Sequence, residues 1–597
     1  MAQVMENPYL KKLYFKHSVA YTEDHIPVQK IQLYAVSQKL NELMLKDFFG
    51  MFGPVLRLQL FKPRTVPYLD QRYLQTGYVL FAEKTDAAKV LYTTVYRLNG
   101  SQFHVKASDS WQQPDAYGIP RHLPVGPPPP VMSLNDHCLQ HVMAYLTLPD
   151  QIHFARTCLR FRAVYQMATV SLHKSVNLGE FGKMTVWDMR DFFELSGAHV
   201  KKLFGMMPSI HANRLCDFLA NKCTNLKTIR VVSNIWSEPN IHKVLDKMEQ
   251  LETLVLPMQN ISDHYLWGLR NLRKLKTLDL SHNPLIGDTM ALLPSSIESL
   301  TLNDCQYING RRILKILKTF HLLKELNIKN IDPRSAEIYE NMIKQKCCNA
   351  LQTLRITGYG NIHYEYVAQI PNLKHLSVFV EQGLREELFE QLAMHKASQL
   401  ECLEIIGAVD ASIEVLRNIA KLTELRALIL PHIKPNASLN YAFGRGTLKK
   451  LEKLFLRDSC GVSNEAILKV FRACPRLSYI GVRNGNQINE ELAMGIVSRV
   501  QQEIANKDMH RKLPIELYPS MITNLDKLME DHSGKLPKDI IQIKERTSSL
   551  AIWETFLEEK SKSITSTPLT GTWTTLRTQT KMILKKKFIL YLWRTIR

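Results

Sequence analysis

Eleven times between residues 226 and 482 the chain repeats Leu-x-x-Leu-x-Leu or an aliphatic equivalent. The copies open at Leu226, Leu251, Leu275, Ile297, Leu323, Leu351, Leu373, Leu400, Leu425, Leu451 and Leu477. Successive openings lie 22 to 28 residues apart, room for one short strand and a return segment but not for an independent core. The fourth and sixth positions alternate with their neighbours, so a strand there turns its aliphatic side chains to one face. The return segments carry helical spacing, as at Ala466, Ile467, Val470, Phe471 and Cys474. One parallel sheet with helices along its outer wall lets every repeat bury its apolar side against the next. Val200 to Leu203 reads as a degenerate opening repeat, and Leu513, Ile515 and Leu517 as a closing one.

This pattern resembles the leucine-rich repeat, which implies a curved solenoid whose concave sheet is a recognition surface. The asparagine or cysteine usual at the ninth position of that repeat stands only at Asn234, Asn283 and Cys305, so the later turns are expected to be irregular. Phe379, Ile406, Ile429 and Phe455 occupy outward positions in four successive repeats. With parallel strands about 4.8 Å apart, they are expected to form a continuous apolar strip, flanked by Arg457 and Arg483, that binds a protein partner. The alternatives are that the C-terminal residues fold back over the strip, or that the register shifts by one in these repeats.

Upstream, residues 132–165 read as a helical hairpin. Ser133 and Asp136 suggest a capping box, Leu139, Val142 and Leu146 follow at helical spacing, and Pro149 with Asp150 breaks the first helix and starts a second. Phe154, Cys158, Phe161 and Tyr165 line one side of that second helix. The segment resembles an F-box at Leu134, Asp136, Leu139, Val142, Tyr145, Leu146, Asp150, Ala155, Cys158 and Val164, with Asn135 where proline is common and Phe161 where tryptophan is. The resemblance implies docking on the Skp-type adaptor of a cullin-RING ubiquitin ligase through Leu134, Leu139, Val142, Leu146, Leu148, Pro149, Ile152 and Phe161. An ordinary core hairpin is the plainer reading.

Residues 1–110 alternate strand, helix, strand, strand, helix, strand, with strands expected at 31–36, 55–61, 77–83 and 103–107 and helices at 40–53 and 85–100. Phe49, Phe52, Gly53 and the run Gly77 to Phe81 resemble an RNA-recognition motif, which implies a ferredoxin-like α+β domain. That fold stacks bases on three aromatic positions, here Gln32, Thr76 and Tyr78. At about 1 to 3 kcal/mol per stacked base, losing two platforms removes roughly 2 to 6 kcal/mol. Weak RNA binding, or use of the domain for protein contacts, is expected.

The net charge of +21 would suggest an acidic partner, but it is not concentrated in a large folded domain: residues 1–110 contribute +5 and 561–597 contribute +8 with no acidic residue. Ten cysteines lack CxxC spacing and read as core residues. No glycine-rich phosphate loop, nucleophile motif or metal-ligand cluster is legible, so neither catalysis nor a cofactor is expected. The start lacks a signal-peptide pattern, and no run is long enough to span a membrane, which points to cytosol or nucleus.

The expected organisation is multidomain α/β: an RNA-recognition-like domain at 1–110, a proline-rich linker at 111–131, a helical F-box at 132–172, a repeat solenoid at 173–520, and a helical then disordered basic tail at 521–597. The expected role is non-catalytic: a substrate receptor of a Skp-cullin-F-box ligase that captures a protein client through the repeats for degradation. An RNA-associated adaptor with the repeats as scaffold is the alternative.

Overall fold

The computed structural model describes residues 13–61, 74–117, 130–232, 238–331, 334–381, 383–433, 439, 443–444, 446–457, 462–482, 490–519 and 536–544. It divides into two compact units, Met1–Leu251 and Glu252–Arg597.

The first unit opens with a small antiparallel hairpin, β1 (Tyr14–Lys16) and β2 (Val19–Tyr21). A five-stranded antiparallel sheet follows in the order β4 (Val55–Phe61), β5 (Leu74–Phe81), β3 (Lys30–Ser37), β7 (Ser101–Ala107), β6 (Val95–Leu98). Helices α1 (Glu42–Gly50) and α2 (Lys84–Leu91) join its strands. Phe49, Phe81 and Phe103 meet edge to face in its core, with ring centroids 6.0 and 6.2 Å from Phe49. The helix expected at 85–100 stops at Leu91. Beyond it, the branched run Thr93-Thr94-Val95 favours a strand, and Asn99 and Gly100 both take positive φ, the geometry of a two-residue hairpin turn into β7.

Of the segment expected to be a linker, residues 111–117 are described and packed. Trp111 lies under the guanidinium groups of Arg190 and Arg214, Arg214 pairs with Asp109 at 3.0 Å, and Tyr117 meets Trp187 edge-on. The Val186 amide donates to Glu23 at 2.8 Å. These contacts seat the sheet domain on α6 (Val186–Ser196) and α7 (Ala212–Lys222). Of the proline run, only Pro130 is described, and it begins a 3-10 turn.

Residues 136–172 form three helices, where the sequence suggested two. The first is α3 (Asp136–Ala144), capped by Asn135, which accepts from the Cys138 amide at 2.8 Å; Ser133 instead donates to the Pro130 carbonyl. Next comes α4 (Leu148–Thr157), capped by Thr147, with Pro149 in the first turn, where its missing amide proton costs nothing. At Cys158 the backbone becomes extended, ending α4 and starting α5 (Leu159–Leu172), and its sulfur accepts from the Phe161 amide. Phe154 and Phe161 stack across this break at 4.2 Å.

The first unit ends with three parallel strands, β8 (Ser175–Asn177), β9 (Lys202–Gly205) and β10 (Thr228–Val231). The repeats therefore begin one strand earlier than the degenerate opening motif. The second unit holds twelve described strands, parallel and strictly in sequence order: β11 (Thr253–Val255), β12 (Thr277–Asp279), β13 (Ser299–Thr301), β14 (Glu325–Ile328), β15 (Thr353–Gly358), β16 (His375–Val380), β17 (Cys402–Ile406), β18 (Ala427–Leu430), β19 (Lys453–Leu456), β20 (Tyr479–Val482), β21 (Ile515–Pro519) and β22 (Ile541–Ile543). In-register neighbours such as Leu326, Leu354 and Leu376 are the repeat leucines, all buried. Of the tail expected at 521–597, residues 521–535 and 545–597 lie outside the described residues, and Ile541–Ile543 supplies β22. Helices Glu387–His395 and Ile413–Ile419 pack on one another, as do Asn464–Ala473 and Glu490–Ala505. Asn283 shows what the ninth position does: its carbonyl accepts from the Gln259 and Ile261 amides, and its amide donates to three carbonyls, of Leu256, Leu280 and Ser281. Asn234 and Arg483 lie outside the described residues.

The Tyr165 hydroxyl, buried in the first unit, bonds His173 Nε2 at 3.1 Å and Ser196 Oγ at 2.9 Å, and Phe192 meets the imidazole edge-on. Burial lowers the His173 pKa to about 4. The unfolded imidazole titrates near 6.5, so between these values the unfolded chain binds more protons, and stability falls as pH drops through that window by up to about 3 kcal/mol. Urea midpoints measured from pH 7 to 4 are expected to fall less steeply for His173→Gln than for the wild type.

Candidate functional site

Three surfaces carry the residues singled out by sequence. The first is the outer side of α3. Cys138, Val142 and the C-cap Tyr145 stand at i, i+4 and i+7, one stripe of a helix, and Leu134 lies just before the N-cap Asn135. The start of α5 is held beside it: Arg160 donates to the Met132 and Leu134 carbonyls at 2.6 Å each and pairs with Asp136 at 2.8 Å. Leu159, the first residue of α5, directly precedes Arg160. Leu134 is 39%, Val142 44%, Tyr145 79% and Leu159 86% exposed. This is an unusual amount of apolar surface to leave in water on one small helical unit.

Three of the expected adaptor-contact residues are elsewhere. Leu139, Ile152 and Phe161 are buried in the core between α3, α4 and α5, each on the inward stripe of its own helix. Leu146, Leu148 and Pro149 are half-buried at the turn, which Gln151 ties down by donating to the Met143 and Leu146 carbonyls. Tyr145 appeared only as a motif match, and its i+7 spacing from Cys138 was the signal for it; Leu159 was not singled out. The break at Cys158, which re-aims Leu159, had no such signal.

The second surface is the sheet face opposite the repeat leucines. The expected strip is not continuous. Phe379 pairs with Ile406 and Ile429 with Phe455, but the lateral neighbour of Ile429 on β17 is Glu404. The two pairs are thus offset by two residues, about 6.6 Å along the strands. Nor is the strip open: Ile406, Ile429 and Phe455 are buried and Phe379 is half-buried. Phe455 lies over Gly481, where a β-carbon would meet its ring at 2.1 Å. Tyr479 stacks on Tyr518 at 4.7 Å, and these rings with Ile429 and Phe455 form one cluster. Arg457 is half-buried.

Beside the cluster lies a buried polar group. Glu404 accepts from Ser377 Oγ at 2.5 Å and stands 3.8 Å from the Lys329 ammonium, while its Oε1 has no hydrogen-bond partner among the described residues. Further back, Thr277, Asp279, Ser299, Thr301 and Asn327 on β12 to β14 are polar and half-exposed. The face therefore changes from polar and open to apolar and closed along the array.

The third surface is the open side of the antiparallel sheet. Gln32 pairs with Tyr78, and Thr76 with Phe61, so the three expected stacking positions do share one region. Aromatics missed by the motif stand around them. Phe61 tilts against Tyr78 at 6.0 Å, and Tyr34 stacks on His104 at 5.1 Å. Lys30 sits 4.0 Å over Tyr78, and Lys106 5.3 Å over Tyr34. Burial, then Arg57, lowers the Lys30 pKa; burial, then Arg214, lowers that of Lys106. Plain strand alternation from Gln32 was the signal for Tyr34, and from Lys106 for His104.

Among the described residues there is no group of His, Cys, Asp or Glu placed to hold a metal, and no helix is long and apolar enough to cross a membrane. No protein-family model and no curated protein matches the chain. Solved structures do match. An internalin (inlF) from Listeria monocytogenes is 14% identical over 61% of this chain and 90% of its own, with a TM-score of 0.31. A complex of Rad7 and Elc1 from yeast is 16% identical over 60% and 90%, at 0.36. The C-terminal RNA recognition motif of the hypothetical RNA-binding protein RBM19 is 20% identical over 17% and 88%, at 0.12. None reaches a TM-score of 0.5, so the architecture rests on the strand register described above.

The division between inner and outer stripes of α3 has a direct check. Val142→Asp and Tyr145→Asp are expected to move the unfolding free energy by no more than about 0.5 kcal/mol. Leu139→Asp, which buries a carboxylate without a partner, is expected to cost at least about 3 kcal/mol. Chemical denaturation of the three variants measures both.

Proposed function

We propose that this chain is a non-catalytic receptor: the helical unit at 136–172 docks on the Skp-type adaptor of a cullin-RING ubiquitin ligase, and the repeat array takes the protein to be modified. The observation that carries the reading is the outer stripe of Leu134, Val142, Tyr145 and Leu159, apolar and exposed on a unit whose own core is already filled. Fully burying a large aliphatic or aromatic side chain contributes about 1.5 to 3 kcal/mol, so four together supply the apolar centre of a stable interface. The adaptor contact is assigned to this stripe, with Leu146, Leu148 and Pro149 at its edge. Leu139, Ile152 and Phe161 hold the stripe in place from beneath.

Within this reading the open polar half of the sheet face, on β12 to β14, is the site for the client. Cytosolic or nuclear residence follows from the reading, since that is where such ligases work. The test is reconstitution with purified Skp-type adaptor. The wild type is expected to form a stable complex by gel filtration, and Val142→Asp combined with Leu159→Asp to weaken it at least tenfold while remaining folded. Undiminished binding by that variant, or no binding by the wild type, contradicts the proposal.

A second activity is favoured by the third surface. Four aromatic rings and two lysines whose charge is held over tyrosine faces suit the bases and phosphates of single-stranded RNA, and they compensate for the positions occupied by Gln32 and Thr76. Single-stranded RNA is expected to bind the full chain, with affinity falling about five- to a hundredfold in Tyr78→Ala and Tyr34→Ala and declining with salt. Fluorescence anisotropy with labelled oligonucleotides reads this; equal affinity in both variants excludes the surface.

A further inference from the structure

The residue that directly precedes each repeat strand is polar, and in the second unit these entry residues pair by charge from one strand to the next. Lys276 and Lys324 meet Glu298 at 4.0 and 2.7 Å, Lys374 meets Glu401 at 3.6 Å, and Arg426 meets Glu452 at 2.7 Å. The first unit departs from this pattern. Its entry residues before β8, β9 and β10 are Lys174, Lys201 and Lys227. The Lys201 amide donates to the Lys174 carbonyl at 3.0 Å and the Lys227 amide to the Lys201 carbonyl at 2.8 Å, so three basic side chains leave adjacent strands about 4.8 Å apart. Like charges in such register repel one another. Among the described residues, neither Lys174 nor Lys201 has an ion pair.

These lysines line a cleft of about 390 Å³ together with His199 and Asn225, and no aspartate or glutamate lines it. That volume lies in the range of small-ligand sites, about 300 to 1,000 Å³. Its wall is fixed by the backbone: His199 ends the 3-10 turn Gly197–His199, and Asn225 Nδ2 donates to the Ala198 carbonyl of that turn at 2.9 Å. An ammonium group has three donors and no acceptor, so the cleft offers hydrogen bonds and positive charge to an anion. A carboxylate would bring a single charge. A phosphate brings more charge and a third terminal oxygen, and can meet two lysines at once.

We propose that this cleft is a binding site for a phosphate-bearing ligand, whose oxygens are met by the Lys174 and Lys201 ammonium groups. The site belongs to the first repeats alone, so it holds or fails independently of the adaptor contact and of the client surface on β12 to β14.

Isothermal titration calorimetry of the full chain with inorganic pyrophosphate tests it. The wild type is expected to bind at low ionic strength, more weakly as salt is added. Lys174→Gln combined with Lys201→Gln is expected to lower the affinity at least about tenfold, with an unchanged circular dichroism spectrum. Lys374→Gln, which removes a paired lysine from the same repeat position, is expected to bind as the wild type does. No binding by the wild type, equal affinity in the double variant, or an equal loss in Lys374→Gln overturns the proposal. Competition then identifies the carrier of the phosphate. Displacement of pyrophosphate by a phosphoserine peptide, but not by its unphosphorylated form, assigns it to a protein side chain; failure of both peptides to displace it assigns it to a free small anion.

Discussion

The structure depends on the lateral pairing of strands that none of the repeats satisfies alone. A strand of three to six residues with two or three buried leucines gains too little to hold its backbone in place. Set in register with the strands on either side, it gains both the ladder hydrogen bonds and a roof of leucines above and below. Leu326, Leu354, Leu376, Leu403, Leu428 and Leu454 occupy one such row, each directly paired to the next. The helices can then vary in length, from the seven residues of Ile413–Ile419 to the sixteen of Glu490–Ala505, because the row of leucines sets the spacing.

What that row leaves over determines function. Each strand has a second face, and along the second unit it passes from half-exposed polar residues to a buried aromatic cluster. The helical unit shows the same division on a smaller scale. Leu139, Ile152 and Phe161 make its core, and the surplus apolar residues at Leu134, Val142, Tyr145 and Leu159 face water. A short helix has room for one inward stripe, so apolar residues on its other side have no use within the unit itself.

The legible parts were those governed by period. The strand positions, the parallel order and the helix at Asn464–Ala473 follow from LxxLxL and from i, i+4 spacing, and the antiparallel sheet follows from alternation. Features set by a single residue's backbone were not legible. Cys158 splits one expected helix into two, and Asn99 with Gly100 turns the end of another into a strand. The strip at Phe379 to Phe455 was misread because two of its members stand at the fifth and two at the seventh position of their repeats, a difference that register alone exposes. Tyr34 and His104 were overlooked because the motif directed attention to three fixed positions.

The central claim is that the chain's own fold leaves the outer stripe of α3 uncovered so that another protein can cover it. Hydrogen–deuterium exchange of the intact chain, with and without purified Skp-type adaptor, tests this most directly. The account predicts that the adaptor slows exchange in residues 134–146 and 159–162, leaving β12 to β14 unchanged. Slowing confined to the repeat strands, with none in α3, would contradict it.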